Sequence, residues 1–370
     1  MEFRLRRQPL KALYQAYLLT SVISRLPVWF ATSLFASWRP RPTWGFRRVL
    51  VDNLLRLLVE SFFETGLPTL DTSPRATFML EGYVEVEPVP ASLVVGEIND
   101  LASLNNVRAE RIHGYWYGPA KNSGSGGKMG SAAPNVLFTL TLCNGLRLHA
   151  KVRVFALEYR LSSASPFPSE NPFPAALLDA ISGYRYLLST GIQAQDIIIC
   201  GESAGCVLAL SLARYLIMHR LSSLPPPSSI LVFSPSADWG TPDQTGPLQI
   251  NACSDYSVVF YNGYCTSALL GSLPDSHAAL NPWISPASKA SEVSSGLFKG
   301  FPKTCIVAGE AECRVDTIHV LRDRLTEDIG SDNLTYMEIY GATHCFCSME
   351  VFEPERSEAL RGVGNWVSLL

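Results

Sequence analysis

A strand, a sharp turn and a helix follow one another between residues 197 and 210, and this unit constrains the fold more than any other stretch. An apolar, β-branched run enters the sequence Gly201-Glu202-Ser203-Ala204-Gly205, and an Ala/Leu-rich helical pattern leaves it. A serine on so tight a turn has a strained backbone, so the residues two positions away on either side must lack side chains. The two glycines meet this requirement. The pattern predicts that Ser203 stands exposed at the end of a strand as a nucleophile.

The residue after the serine begins the helix, and its backbone has a predicted role too. The first N–H groups of a helix have no intrahelical partners, and such a group stabilises the negative oxygen that forms when a serine attacks a carbonyl carbon. We therefore predict that the N–H of Ala204 contributes to an oxyanion hole. A serine hydroxyl also needs a histidine to take its proton and an acid to orient that histidine. In hydrolases with this turn both follow the serine, in the order acid and then histidine.

His344 is the predicted base. It lies just past a predicted strand and before the last predicted helix, which is where a base in this order should lie. His277 falls in an irregular stretch and His319 within a predicted helix, so both fit the position less well.

Three carboxylates compete for the role of the acid. Glu312 occupies the loop position that an acid past the end of a strand would take, and we favour it. Asp316 comes about one turn later, where it also suits the first turn of a helix. Glu310 is a third candidate. The residues by themselves leave this choice open.

Composition narrows the class of protein. The chain has 370 residues, 47% of them hydrophobic and 17% charged, and a formal net charge of −3. Such a chain suits one large α/β domain, or one domain plus an appendage, and the near-neutral charge gives no reason to expect a nucleic-acid partner. Nine cysteines lack C-x-x-C pairs and zinc-ligand spacing. We expect reduced thiols in a compartment on the cytoplasmic side, with no metal site.

The N-terminal segment, residues 1–68, differs from the rest of the chain. Two uncharged runs, 12–24 and 26–38, are separated by Arg25 and flanked by further basic residues. Each run is shorter than the ~20 apolar residues that a spanning helix needs. We predict helices that lie at a membrane surface, with peripheral contact through residues 1–63. The alternative is a helical cap over the active site of a soluble enzyme.

From residue 69 to residue 370, strand and helix patterns alternate. This alternation predicts an α/β fold with a mostly parallel sheet covered by helices on both faces. An irregular excursion between about 236 and 300 is predicted to cover the site. The predicted strands lie at 152–157, 196–200, 229–234, 304–308 and 334–339, and the predicted helices at 49–63, 174–188, 316–325 and 353–366.

Several stretches together resemble the hormone-sensitive-lipase-like branch of the α/β-hydrolases, and most of all its fungal esterases. The matching pieces are VFALEYRL (154–161), PFPAA (172–176), GESAG (201–205), NPWISP (281–286), VAGEAE (307–312) and GATH (341–344). They follow the order of that family from about residue 80 to the end of the chain. The resemblance implies carboxylic-ester hydrolysis without a metal or organic cofactor. It also implies Ser203 as nucleophile, His344 as base, Glu312 as acid and a cap formed in part by the N-terminal segment.

The chain departs from that family ahead of the nucleophile. The resemblance implies a strand that ends in His-Gly-Gly and supplies half of the oxyanion hole, but this interval holds the Gly/Ser-rich stretch 119–134 instead. It reads as though the strand and the His-Gly-Gly sequence were missing between Lys128 and Met129. Gly126 and Gly127 are the predicted substitutes for the missing N–H donors.

The predicted function is therefore a serine hydrolase that cleaves small-molecule carboxylic esters through an acyl-enzyme. Two alternatives stay open at this stage. One is a biosynthetic hydrolase or transferase that removes or moves an acyl group in the same pocket. The other is a catalytically impaired, ligand-binding member of the fold, which the apparent loss of the His-Gly-Gly segment favours.

Overall fold

The computed structural model describes residues 3–66, 82–117, 152–240, 245–290 and 295–370, and the backbone of residues 136–139. In these ranges an eight-stranded sheet has the order β1-β2-β4-β3-β5-β6-β7-β8. The strands are β1 (Tyr83–Val86), β2 (Ile112–Tyr117), β3 (Val136–Thr139), β4 (Arg153–Glu158), β5 (Ile197–Glu202), β6 (Ser229–Phe233), β7 (Lys303–Gly309) and β8 (Leu334–Ile339).

Six neighbouring strands, in the order β4, β3, β5, β6, β7 and β8, run parallel to one another. At one edge of the sheet, β2 pairs antiparallel with β4, and β1 pairs antiparallel with β2. Strands of a parallel sheet are covered on both faces, so their sequences are apolar almost throughout. Every residue of β5 and β6 is buried, as this rule requires. The predicted, mostly parallel sheet is confirmed.

Helices cover both faces of the sheet. They are α1 (Leu10–Leu34), α2 (Phe46–Thr65), α3 (Glu97–Leu104), α4 (Ala175–Ser189), α5 (Ala204–His219), α6 (Pro247–Asn251), α7 (Tyr264–Leu270), α8 (His277–Leu280), α9 (Val315–Ile329) and α10 (Glu355–Val367). One apolar core joins a sheet face to α3, α4, α5 and α9. A second core joins the opposite face to α10. This is the layered arrangement that the alternating pattern predicts.

The strand that we predicted to be missing is present, so that prediction is wrong. β3 pairs in parallel with β4 on one side and with β5 on the other, and Thr139 lies beside Cys200. β3 therefore fills the centre of the sheet and ends at the same edge as the strand that carries Ser203. The sequence hides it because it has only four residues, which come just after the Gly/Ser-rich stretch and carry no alternation of polar and apolar side chains.

The two apolar runs near the N-terminus form one helix, α1, and not two segments as we predicted. α1 continues through Arg25 and Pro27. Arg25 is exposed, so its charge stays in solvent, and Pro27 removes one main-chain hydrogen bond from a helix of 25 residues. α1 packs along α2 as a helical hairpin. Within the described ranges, no helix combines the length and the apolar character needed to cross a bilayer.

The stretch 236–300 contains short elements, as the irregular sequence predicts. It holds α6, α7 and α8 together with a 3-10 helix, Tyr256–Tyr261. The proposed division into a segment 1–68, a domain 69–370 and a cap excursion stays a prediction.

Candidate active site

β5 delivers Ser203 onto a strained turn. The serine has φ 56° and ψ −120° and lies directly before the first residue of α5. A Cβ atom built at Gly201 would come within 2.2 Å of the carbonyl oxygen of Gly205, so position 201 requires a glycine. The Ser203 N–H donates to the carbonyl oxygen of Phe233 at 2.9 Å, which ties the turn to β6.

Three side chains from three loops meet at this edge of the sheet. His344 Nε2 lies 2.7 Å from Ser203 Oγ, and His344 Nδ1 lies 3.0 Å from Glu312 Oε2. His344 and Glu312 are 4% and 2% exposed. The structure thus brings together the serine, the histidine and the favoured acid, which are far apart in the sequence.

The competing carboxylates do not contact the histidine. Glu310 pairs with Arg41, and Asp316 lies in the first turn of α9, 4.0 Å from Lys289 Nζ. Glu312 Oε1 instead accepts the N–H of Gly309 at 2.7 Å, so its other oxygen is left facing His344. The geometry therefore selects Glu312 among the three candidates.

The electrostatics of the site favour a charged histidine. Burial opposes the imidazolium form, but Cys345 and the hydrogen-bonded Glu312 carboxylate outweigh it and raise the pKa of His344 well above its ordinary value. Burial raises the pKa of Glu202 to about 7, although hydrogen bonds from Ser348 and the charge of His344 act against this shift. His344 becomes positively charged when it accepts the proton of the serine hydroxyl, so these groups stabilise the form that arises in the reaction.

The structure describes one of the three residues predicted to donate an N–H to the oxyanion. Ala204 is the first residue of α5 and is exposed, so its N–H is one of the helix-end donors without an intrahelical partner. Gly126 and Gly127 lie outside the described residues, and their role stays a prediction.

An apolar cavity of about 390 Å³ opens beside the serine. Ala204 lines it on one side, and α7 contributes Tyr264 and Ala268 on another. Aromatic side chains from three further parts of the chain, Phe173, Trp239 and Trp283, complete much of its wall. A cavity of this size and character suits a small apolar group.

Several residues that shape the site were not predicted from the sequence. Ser236 Oγ lies 3.3 Å from Ser203 Oγ, and Ser234 Oγ accepts the N–H of Cys345 at 3.1 Å. Ser234 follows β6 directly and Ser236 comes two residues later, so the rule that sites form at the carboxyl ends of parallel strands could have indicated them. Among the described residues, no group of histidine, cysteine or acidic side chains has the arrangement of a metal site.

The serine lies on a strand-to-helix turn, and the histidine and the glutamate lie next to it at the carboxyl edge of a parallel sheet. This arrangement is typical of proteins with the α/β-hydrolase fold. A family model described as alpha/beta hydrolase fold matches residues 124–348. This match covers more than half of the chain, and the protein belongs to the α/β-hydrolase fold family.

Two curated relatives match parts of the chain. An acetyl-hydrolase of Streptomyces hygroscopicus is 32% identical over 145 residues, which is 38% of this chain and 43% of the relative. An esterase of Acinetobacter venetianus is 25% identical over 232 residues, 62% of this chain and 68% of the relative. The chain thus spans less than half the length of the first relative. Both relatives are bacterial, and the fungal type stays a prediction.

Solved structures share the fold. An esterase from the bacterial hormone-sensitive lipase family aligns with a TM-score of 0.58 at 20% identity, covering 88% of this chain and 98% of its own. An esterase/lipase from an uncultured bacterium aligns with a TM-score of 0.57 at 21% identity, covering 88% of this chain and 99% of its own. These structures support the predicted fold class.

Proposed function

We propose that this protein is a serine hydrolase that cleaves carboxylic esters. The observation that carries the proposal is the hydrogen-bonded chain from Ser203 through His344 to Glu312 at the end of β5. Both curated relatives carry hydrolase names, an acetyl-hydrolase and an esterase, which supports the same class of reaction.

Each residue has a defined role in this reaction. Ser203 Oγ attacks the ester carbonyl carbon while His344 Nε2 takes its proton, and the Ala204 N–H donates to the oxygen that becomes negative. Glu312 stabilises the imidazolium that forms. His344 then protonates the departing alcohol, which leaves an acyl-enzyme, and a water activated by His344 releases the acid.

The cavity indicates the kind of ester. Its wall is apolar and aromatic, and its volume of about 390 Å³ is at the small end for ligand pockets. We propose that the substrate is an ester with a short or medium apolar group. This group moves from water into the apolar cavity when the substrate binds. A hydrolase or a transferase of small-molecule biosynthesis would use the same site, and the identity of the acyl acceptor distinguishes them.

The test is the Ser203→Ala variant with nitrophenyl esters of increasing acyl length. We expect hydrolysis to fall by roughly 10³-fold or more, because the nucleophile is lost. We also expect wild-type protein, but not the variant, to be labelled by a fluorophosphonate. Equal rates for the two proteins would overturn the proposal, and an unlabelled wild-type serine would favour the ligand-binding alternative.

We further propose that the outer face of α1 contacts a lipid membrane on the cytoplasmic side. Among the 25 residues of α1, all of which the structure describes, Ser21 and Ser33 are buried, whereas Leu13, Leu19 and Ile23 are 61–65% exposed. This distribution is the reverse of that in a water-soluble helix. Exposed apolar faces of this kind mark surfaces that bind a partner or a membrane.

The charges around α1 favour lipid over protein as the occupant. Residues 3–51 contain nine arginines and lysines and no acidic residue. Basic residues beside an apolar helix face attract anionic lipid headgroups. The same excess of positive charge opposes the pairing of two copies of the hairpin through this face.

Flotation with vesicles tests this surface. The variant Leu19→Glu/Ile23→Glu should lose binding to vesicles of phosphatidylcholine with phosphatidylglycerol. The matched variant Leu104→Glu/Leu280→Glu changes leucines that are 65% and 50% exposed elsewhere and should still bind. Equal flotation of both variants would contradict the proposal. So would a dimer in solution that the first variant alone dissociates.

A further inference from the structure

The corner between α1 and α2, residues 39–48, contacts the loops that carry both Glu312 and His344. We propose that Arg41, Trp44 and Arg48 in this corner are positioning residues for the catalytic acid and base. This inference rests on the proposed ester hydrolysis, and it assigns the N-terminal hairpin a part in catalysis that the cavity and the nucleophile do not reveal.

Arg41 holds the acid loop. Its Nη1 lies 3.1 Å from both carboxylate oxygens of Glu310, and its Nη2 donates to Asn251 Oδ1 at 2.5 Å. Asn251 in turn donates from Nδ2 to the main-chain oxygen of Glu312 at 2.9 Å. One guanidinium group therefore fixes the main chain of the acid from two directions, and a charged, forked contact of this kind is geometrically selective.

Trp44 and Arg48 hold the histidine loop. Trp44 Nε1 and Arg48 Nη2 donate to the same carbonyl oxygen, that of Gly341, at 2.8 and 2.9 Å. Gly341 lies three residues before His344. Trp44 is 1% exposed and Arg48 4% exposed, and the guanidinium of Arg48 stacks on the Trp44 ring at 4.4 Å. Buried hydrogen bonds such as these are costly to break, so they hold Gly341 firmly.

The two loops also contact each other directly. The Gly341 N–H lies 3.3 Å from Glu310 Oε2, and the Ala311 N–H donates to the carbonyl oxygen of Ala342 at 2.9 Å. A Cβ atom at Gly309 would come within 2.2 Å of that same oxygen. The corner therefore closes over a pair of loops that are already in contact, and it fixes the separation of Glu312 from His344.

The test compares Arg41→Gln with Arg47→Gln, an exposed arginine in the same corner. We expect Arg41→Gln to lower kcat about tenfold and to change KM by less than about twofold, because a small misplacement of the acid weakens the transition state more than substrate binding. Arg41→Lys should recover part of kcat, since its ammonium reaches Glu310 or Asn251 but not both. Arg47→Gln should match wild type.

A readout without substrate separates this inference from the proposed function. The low-field proton resonance of His344 Nδ1, identified by its loss in His344→Ala, should shift or broaden in Arg41→Gln and in Trp44→Phe. The same resonance should be unchanged in Arg47→Gln. An unchanged resonance in folded Arg41→Gln, or an equal kcat in the two Gln variants, would overturn the positioning role. Wild-type protein that hydrolyses no ester would overturn the proposed function alone.

Discussion

Two helices of this protein, α1 and α5, are both rich in apolar residues but lie in opposite environments. Of the 16 residues of α5, 11 are buried, whereas 2 of the 25 residues of α1 are buried, and the structure describes both helices completely. α5 follows the nucleophile and packs into the core that lines one sheet face. α1 packs along α2 and presents leucine, isoleucine and phenylalanine outward.

The difference shows that an apolar helix does not by itself define a core. α5 is buried because β5 and β6 lie directly beneath it, and their side chains leave no room for water. Among the described residues, α1 packs mainly against α2, and its side chains Leu13, Leu19 and Ile23 stay exposed. Side chains at the catalytic edge of the sheet are thus surrounded by protein, whereas many side chains of the α1–α2 hairpin are not. Substitutions in the two regions should therefore differ in their effects.

The largest effect is expected at the acid. Glu312→Gln should reduce kcat/KM by roughly 10³- to 10⁴-fold, because the amide no longer stabilises the imidazolium of His344. Asp316→Asn removes a nearby carboxylate, in the first turn of α9, that does not contact the histidine, and it should change kcat/KM by less than about twofold. Comparable losses in the two variants, measured with one nitrophenyl ester, would refute the choice of Glu312.

The Glu312–His344 pair also determines how kcat/KM depends on pH. His344 must be neutral to accept the serine proton, so kcat/KM falls as the pH drops below the pKa of His344. That pKa is raised, so the acidic limb of the wild-type profile should lie above the ordinary histidine value of about 6.5. Glu312→Gln should move this limb to lower pH. A limb that moves upward would show that Glu312 does not stabilise the charged histidine.

Matched leucine truncations compare the helices directly. Leu212→Ala in α5 removes a side chain that is 0% exposed, and it should lower the free energy of unfolding by about 2–5 kcal/mol. Leu19→Ala in α1 changes a side chain that is 65% exposed, and it should alter this free energy by less than about 0.5 kcal/mol. Urea unfolding measures both, and equal losses would mean that the face of α1 is covered in solution.

A buried carboxyl of the hairpin, Asp52, is expected to make the stability of the protein depend on pH. Asp52 is 3% exposed, and its Oδ1 has no hydrogen-bond partner among the described residues. Burial, and next the charge of Asp255, raise the pKa of Asp52 to about 8. The unfolded chain loses this proton near pH 4, so the free energy of unfolding should decline as pH rises from about 4 to 8. Asp52→Asn should weaken that decline in urea titrations, whereas an unaltered pH dependence would contradict the raised pKa.

Much of the fold followed from periodicity. Five strands and three helices lie within a few residues of their predicted positions, since each has a strong apolar pattern and clear ends. They are β4, β5, β6, β7, β8, α4, α9 and α10. β3 was missed because four residues carry too little pattern. α1 was divided at Arg25 because the sequence does not show that this side chain faces solvent.

The site was predicted in part. The Gly-x-Ser-x-Gly turn is a local structure, so its five residues were enough to indicate Ser203 and the N–H of Ala204. The choice among Glu310, Glu312 and Asp316 depended on which carboxylate faces His344, and that depends on the main chain of a loop. Glu312 was selected in space by the Gly309 N–H, which binds one of its oxygens and leaves the other free for the histidine.

By itself, the sequence determined the α/β class, the nucleophile on its turn and the order in which acid and base follow. These depend on local patterns and on the steric needs of glycine and serine. The tertiary structure alone decided which carboxylate meets His344, that residues 39–48 contact both catalytic loops, and that α1 is exposed while α5 is buried. Those outcomes depend on contacts between residues tens to hundreds of positions apart, and no local pattern in the chain encodes them.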